Sequence, residues 1–305
     1  MREKIDYGVV ILNYNTAEDS INAAKSVVKN AEEYSYVVCI VDNNSPNKND
    51  LKKLESFSLR NVCFIRCPHN SGYAAGNNYG ITYLNSKYDI QYIIIMNPDV
   101  TIINTGTIDR LLYRLESLTD NYCGIQPFVW TPYLGAPEWL IHIRKVYNYF
   151  DMVISSFHLF KLLFKGEYNS MVYRNQMPYK NEMDFEVPSG AFFIMKNNAF
   201  EKVNYFDEDT FLYQEEMILG YKLKKEGFVF RFVPNEIVEH EGGKSTGSNT
   251  KRVRRKTLVN EKKAAGVYLR KYLKVCTIKI WIVYFLMELN WFIKQLFKCQ
   301  LFCFK

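Results

Sequence analysis

The run Tyr92-Ile93-Ile94-Ile95-Met96 is apolar without alternation, and Asn97-Pro98-Asp99-Val100 follows it at once. Unbroken apolar character suits a central strand covered on both faces. Proline has no N–H for a sheet ladder, so the strand ends or becomes an edge at Pro98. A carboxylate, Asp99, therefore stands just past the carboxyl end of a buried strand. Open α/β sheets bind ligands at that edge, although an ordinary Asn-Pro turn fits these few residues equally well.

The preceding residues supply the rest of such a sheet. Tyr7 to Leu12 reads as a first buried strand ending at Asn13-Tyr14-Asn15. Thr16 and Asp19 have the spacing of a capping box, and Ile21, Ala24, Val27 and Val28 form a helical apolar face. Tyr36 to Val41 is a second strand, ending in Asp42-Asn43-Asn44-Ser45-Pro46. A helix over Asp50 to Ser56 leads to a third strand, Val62 to Arg66. Such β-α-β-α-β order implies a parallel sheet with right-handed crossovers. Its strand ends fall on one edge, which gathers Asn13, Asp42, Asn97 and Asp99. Oxygen ligands near a phosphate are what Mg²⁺ or Mn²⁺ prefers.

Between the third and fourth strands lies Asn70-Ser71-Gly72-Tyr73-Ala74-Ala75-Gly76-Asn77-Asn78. Gly72 can take a positive φ, and the small residues after it let a helix start approach a ligand. The glycine spacing is neither a dinucleotide fingerprint nor a P-loop. Beyond a helix near Ile108 to Leu118, the chain is irregular and aromatic. The apolar segment Val146 to Phe164 reads as a core helix, a cover over an acceptor or a patch on lipid. Val187 to Met195 reads as another buried strand, entered through Ser189-Gly190-Ala191. Five carboxylates then fall between Phe206 and Glu216, at the start of a helix running to Lys225. The helix dipole favours Glu215 and Glu216 there, and a carboxylate partly buried beside a cleft can act as a general base. A strand over Phe228 to Val233 and the segment from Ile237 lead to His240. The glycines after it, and carboxylates elsewhere to share an ion, favour it as a ligand.

The 305 residues are 48% hydrophobic and 23% charged, as in a globular chain with one large α/β domain and an appendage, or two small domains. The net charge of +7 is unevenly spread: from Lys244 onward there are 15 Lys/Arg and 2 Glu. Lys251 to Lys256 is a basic run, a helix over Leu258 to Tyr272 follows, and Val275 to Phe304 is rich in Trp, Phe, Ile and Leu. Its uncharged runs are too short to span a bilayer, so an amphipathic helix lying in an interface with anionic lipid fits better than nucleic acid. The seven cysteines form no metal or disulfide spacing, Cys299 and Cys303 included, and the N-terminus shows no secretory pattern. The expectation is a reduced, cytoplasmic protein, peripheral at the cytosolic face of the membrane, with homodimerisation left open.

Taken in order, Val10 to Asn15, Val41 to Ser45, Asn70 to Asn78, Met96 to Val100, Ser189-Gly190-Ala191, Tyr213 to Glu216 and His240 to Gly243 resemble an inverting glycosyltransferase of family 2. The subgroup resembled is the rhamnosyltransferase-like enzymes of O-antigen, capsule and cell-wall polysaccharide assembly. This resemblance implies a GT-A fold over residues 1–247, with 1–100 the nucleotide-binding half and 101–247 the acceptor half. Residues 248–305 would be a membrane-associating helical appendage. It implies a nucleotide-diphospho-sugar donor, dTDP-rhamnose or a UDP-hexose, and a glycan or lipid-linked acceptor. It also implies Mg²⁺ or Mn²⁺ at Asp99 and His240, Asn97 replacing the first Asp of the family's Asp-x-Asp motif. Asp42 would contact the base, with Asn13, Asn70, Gly72, Asn77 and Asn97 around the donor. Glu216 falls at the family's catalytic base, usually Asp, and Glu215 is the alternative. Ile218 and Lys222 depart from frequent Asp and Arg positions. The rival readings are a sugar-phosphate nucleotidyltransferase, whose Gly-rich basic loop Asn13 to Thr16 is not, and a nucleotide-sugar-binding scaffold without catalysis.

Overall fold

The structure, a computed structural model, describes residues 2–137, 142–242 and 255–302, with the backbone alone for 297–302. Gly243, the basic run from Lys251 to Arg254, the 247/248 boundary and Cys303 lie outside these residues.

The expected alternation is present: β1 (Glu3–Asn13), α1 (Ala17–Asn30), β2 (Tyr36–Asp42), α2 (Lys48–Ser56), β3 (Val62–Arg66), α3 (Tyr73–Lys87) and β4 (Tyr88–Met96). There follow β5 (Val100–Ile102), α4 (Thr107–Glu116), β6 (Tyr122–Trp130), and three short helices, α5 (Tyr149–Ser156), α6 (His158–Leu163) and α7 (Lys165–Met171). Then come β7 (Met183–Phe185), β8 (Phe192–Lys196), α8 (Asn197–Lys202), α9 (Glu215–Lys225), β9 (Val229–His240), α10 (Arg255–Val267) with a π-helical turn over Tyr268–Tyr272, and α11 (Thr277–Phe302).

One mixed sheet has the order β3-β2-β1-β4-β8-β6-β9-β5, with β7 added on β9. The first four strands are parallel, as the crossovers require, while β8 runs antiparallel to β4. The unbroken apolar run in β4 is explained by its two covered faces. Tyr92, Ile94 and Met96 enter the core on one side of the sheet, and Ile93 and Ile95 the core on the other. Burying each of these side chains contributes about 1.5–3 kcal/mol.

Several sequence expectations shift. Thr16 does not cap α1 with its side chain; its hydroxyl donates instead to Asn13 Oδ1 at 3.2 Å. The strand expected from Val187 begins only at Phe192, because Val187 bridges to Arg144 in an isolated pair. The apolar segment 146–164 breaks into short helices at Phe157 and Phe164 instead of forming one long helix. A third core joins α5 and α9 to the C-terminal helices through Tyr147, Ile154, Met217, Ile218, Tyr268, Leu269, Ile280 and Val283.

His142 sits among aromatic rings, with centroids 5.3 Å from Phe128 and 5.4 Å from Phe232. Neither ring nitrogen has a hydrogen bond, and burial pushes its pKa from 6.5 down to about 3. The unfolded chain therefore takes up a proton below pH 6.5 that the folded chain refuses. Stability is full above that pH and falls by about 1.4 kcal/mol per unit as the medium is acidified toward the folded value. Urea unfolding at pH 7 and pH 5 should show a larger loss for the native chain than for His142→Phe. Equal losses would rule out this source of acid sensitivity.

Candidate functional site

Parallel pairing registers Asn13 opposite Asp42 at the ends of β1 and β2. Asn13 Nδ2 donates to Asp42 Oδ1 at 2.8 Å, and Asn13 Oδ1 accepts from the Thr16 backbone N–H and the Ser20 hydroxyl. Asp42 also accepts from the Ser45 N–H and pairs with Arg66 Nε at 3.2 Å. Both residues are 0% exposed, and their polar atoms already bond to protein. Their placement fastens the loops at this edge, and it leaves Arg66 as the half-exposed member of the cluster.

The glycine-rich turn is fixed by close approach. Gly72 has φ +98°, its N–H donates to Asn70 Oδ1, and its carbonyl accepts from Asn43 Nδ2. The Tyr73 N–H donates to the Phe211 carbonyl, binding the start of α3 to the acidic loop. A Cβ on Gly72 would lie 2.1 Å from that carbonyl oxygen. Asn77 donates to the Tyr73 carbonyl inside α3, so its amide nitrogen is committed to the helix.

Pairing of β5 with β9 sets Val100 opposite His240 and so brings Asp99 beside the imidazole. Asp99 Oδ1 lies 3.2 Å from His240 Nε2, and the two residues are only 7% and 4% exposed. His240 Nδ1 is buried without a hydrogen bond. A carboxylate and an imidazole in contact are two ligands of the kinds a divalent cation takes. Among the described residues no third His, Cys, Asp or Glu completes a cluster, so an ion here takes its other ligands from elsewhere.

The carboxylate pair is reached through β4 and β8. Met96 pairs with Phe192, and beyond them the Asn97 N–H donates to the Ala191 carbonyl at 2.8 Å. Gly190, one residue earlier, accepts from the Tyr73 hydroxyl at 2.7 Å. A Cβ there would fall 1.9 Å from Glu216 Oε1, so the missing side chain makes room for that carboxylate. Glu216 and Glu215 open α9 after Tyr213 and Gln214, both at positive φ. Glu215 is 2% exposed, and burial, then the charge of Glu216, push its pKa well up. Arg144 Nη2 stands 3.7 Å from Glu216 Oε2. Sequence reasoning missed Arg144 entirely, since it lies in an irregular stretch with no motif. Tyr73 had a signal in the glycine-rich turn but no stated role.

Thus Asp99, His240 and Asn97 come together with Ser189-Gly190-Ala191 and Glu216, while Asn13 and Asp42 form a buried cluster whose loop is joined to the Gly72 turn through Asn43. The turn at Gly72 gives a direct check. Gly72→Ala should be less stable than Gly135→Ala by about 1–3 kcal/mol. Both positions have positive φ, but a Cβ at 135 meets nothing within 4 Å. Equal thermal midpoints for the two variants would contradict the close approach to Phe211.

The model of Glycosyl transferase family 2 matches residues 8–203. The chain is 35% identical over 228 residues to an N-acetylglucosaminyl-diphospho-decaprenol L-rhamnosyltransferase of Mycobacterium tuberculosis, covering 71% of this chain and 70% of that protein. It is 26% identical over 221 residues to a low-salt glycan biosynthesis hexosyltransferase of Haloferax volcanii, covering 72% of this chain. The match spans only 62% of that relative's length. In fold alone it is similar to a mannosyltransferase from Pyrobaculum calidifontis solved in complex with GDP-Man and Mn²⁺. That match has a TM-score of 0.54 at 10% identity, over 93% of this chain and 70% of the other. With this α/β sheet of GT-A type, the chain belongs to glycosyl transferase family 2.

Proposed function

We propose that the chain transfers a sugar from a nucleotide-diphospho-sugar to a hydroxyl of a glycan or lipid-linked saccharide, with inversion, in surface polysaccharide assembly. The observation that carries this reading is the Asn97–Ala191 bond, which sets the Asp99–His240 pair and the Glu216 carboxylate on one sheet edge. Residues 1–100 form the donor half, 101–247 the acceptor half and 248–305 the membrane-associating appendage. The rhamnosyltransferase relative supports a rhamnosyl donor and a lipid-linked acceptor, and the hexosyltransferase relative a hexosyl donor; we take the donor as dTDP-rhamnose or a UDP-hexose.

Asp99 and His240 would hold Mg²⁺ or Mn²⁺, which neutralises charge on the leaving diphosphate when bound. Asn70, Gly72 and Asn97 line the donor side, and Asn13 and Asp42 brace the loops there. Glu216 accepts the proton of the acceptor hydroxyl as its oxygen bonds to the anomeric carbon. The bond from that carbon to the diphosphate oxygen breaks on the opposite face, so configuration inverts without a covalent enzyme intermediate. With a panel of nucleotide sugars, Glu216→Gln should lower turnover by about 10²–10⁴-fold. Asp99→Ala should abolish metal-dependent turnover. Full turnover in both variants would sink these roles.

The appendage gives the membrane reading its basis. No helix among the described residues is long and apolar enough to cross a membrane. Helix α11 packs Ile280, Val283 and Leu286 inward, yet Ile278, Trp281, Ile282, Phe285, Phe292 and Leu296 are 44–74% exposed. Helical spacing places these six on one outward face, as an amphipathic helix lying in an interface requires. Helix α6 abuts α11 through the His158 N–H and Asn290 Oδ1, and adds exposed Leu159, Leu162 and Leu163. Peripheral attachment at the cytosolic face follows from this reading. Trp281→Glu combined with Phe285→Glu should cut sedimentation with phosphatidylglycerol-containing vesicles. Unchanged sedimentation would remove the interfacial role of α11.

A further inference from the structure

We propose that Arg144 is a positioning residue that selects Glu216, and not Glu215, as the carboxylate that takes the acceptor proton. The inference rests on the proposed glycosyl transfer and deepens it by choosing between the two adjacent acids.

The geometry starts with the backbone. Arg144 and Val187 exchange hydrogen bonds in an isolated antiparallel pair: the Arg144 N–H donates to the Val187 carbonyl at 3.1 Å, and the Val187 N–H returns the bond at 2.9 Å. The Glu186 N–H donates to the same Arg144 carbonyl. These bonds hold residue 144 against the segment that leads into Ser189-Gly190-Ala191. The guanidinium is almost wholly buried and reaches Glu216 Oε2 at 3.7 Å, an ion-pair separation. Glu216 keeps 17% of its side-chain surface exposed, as a group that meets a substrate hydroxyl must. Glu215 is deeper: its Oε1 is buried without a hydrogen bond, and backbone hydrogen bonds at Tyr213 and Glu215 offset only part of the cost of burying the carboxylate.

Two neighbouring carboxylates in a buried setting do not both ionise readily, because each raises the other's cost of charging. The groups facing Glu216 are Arg144 from the segment before α5, Glu215 from its own helix and Tyr73 from α3. Of these, only Arg144 carries positive charge. The Gly190 gap fixes where Glu216 sits, and among the ion pairs of the described residues Arg144 reaches Glu216 and not Glu215, whose carboxyl its charge touches only as a minor influence. Burial, then the charge of Glu216, push the pKa of Glu215 up, which disfavours it as the anion of the pair. Arginine suits this place because its charge persists at any working pH and its fork is rigid.

The test is the pH profile of kcat for the full chain with Arg144→Gln and Arg144→Lys, beside Glu216→Gln and Glu215→Gln. Loss of the guanidinium should lower kcat at neutral pH by about tenfold or more. The acid limb should move to higher pH, with partial recovery in alkaline buffer. Donor KM should stay within about twofold, because the change lies on the proton-accepting side. Arg144→Lys should retain an acid limb near the native one, and added guanidinium should rescue Arg144→Gln. Should Arg144→Gln not fold, Arg144→Lys supplies the pH profile, and an acid limb displaced by about one pH unit or more despite the retained positive charge would overturn the proposal. An unmoved profile and kcat in Arg144→Gln would also overturn it. If Glu216→Gln keeps full turnover while Glu215→Gln does not, the selection of Glu216 is wrong although glycosyl transfer stands. Full turnover in both Glu variants would instead remove the proposed base chemistry itself.

Discussion

The site depends on the antiparallel ladder between β4 and β8. Each strand ends where its sequence stops being apolar: β4 at Met96 before Asn97-Pro98-Asp99, and β8 at Phe192 after Ser189-Gly190-Ala191. Pairing Met96 with Phe192 forces these two polar ends together, and the Asn97–Ala191 hydrogen bond closes the ladder. An antiparallel partner is essential here. A parallel strand would have brought its own carboxyl end to this edge, whereas β8 brings its amino end, with the small residues that leave room for Glu216. Ser189 is itself held, because its N–H donates to Gln126 Oε1 on β6 at 2.7 Å.

The proposed metal pair and the proposed base are positioned by different elements. Asp99 and His240 are positioned by the short β5 lying on β9, with the Glu241 N–H donating to the Asp99 carbonyl. Glu216 is positioned by α9, whose Met217 and Ile218 are fully buried against Tyr147, Tyr268 and Leu269. The C-terminal helices therefore brace the helix that carries the proposed base. Lys271 adds ion pairs to Asp207 and Asp209 at 2.7 and 2.8 Å, so the acidic loop before α9 is anchored to the same helices. These ion pairs are half-exposed on the lysine side and contribute modestly; the buried aromatic contacts dominate.

The parallel half of the sheet was legible because crossover chemistry is local: apolar runs of strand length, polar ends and helical spacing recur in the first hundred residues. Strand β4 was legible for the same reason, since five apolar residues in a row suit a strand with two covered faces. Less was legible where long-range partners decide. The Thr16 capping box gave way to Asn13, which draws the same N–H and hydroxyl into the cluster with Asp42. The strand expected from Val187 lost its first residues to Arg144, a partner 43 positions away by number and outside any motif. Asn13 and Asp42 had the right residue types for a ligand edge. Their complete burial follows from strand register, which residue type does not reveal.

The departures at 218 and 222 acquire physical reasons in the same way. Ile218 is fully buried in the core shared with α5 and the C-terminal helices, where an aspartate would be an uncompensated charge. Lys222 donates to the Asn204 and Tyr205 carbonyls, fastening α9 to the loop after α8. Both residues serve the attachment of α9, and neither occupies the carboxylate edge beside Gly190. Substitution at these positions thus changes what holds the helix while leaving the surroundings of Glu216 in place. The start of a helix is held in place by its body, and here the C-terminal helices pack against that body. The same helices that turn an apolar face outward therefore set the position of the proposed base.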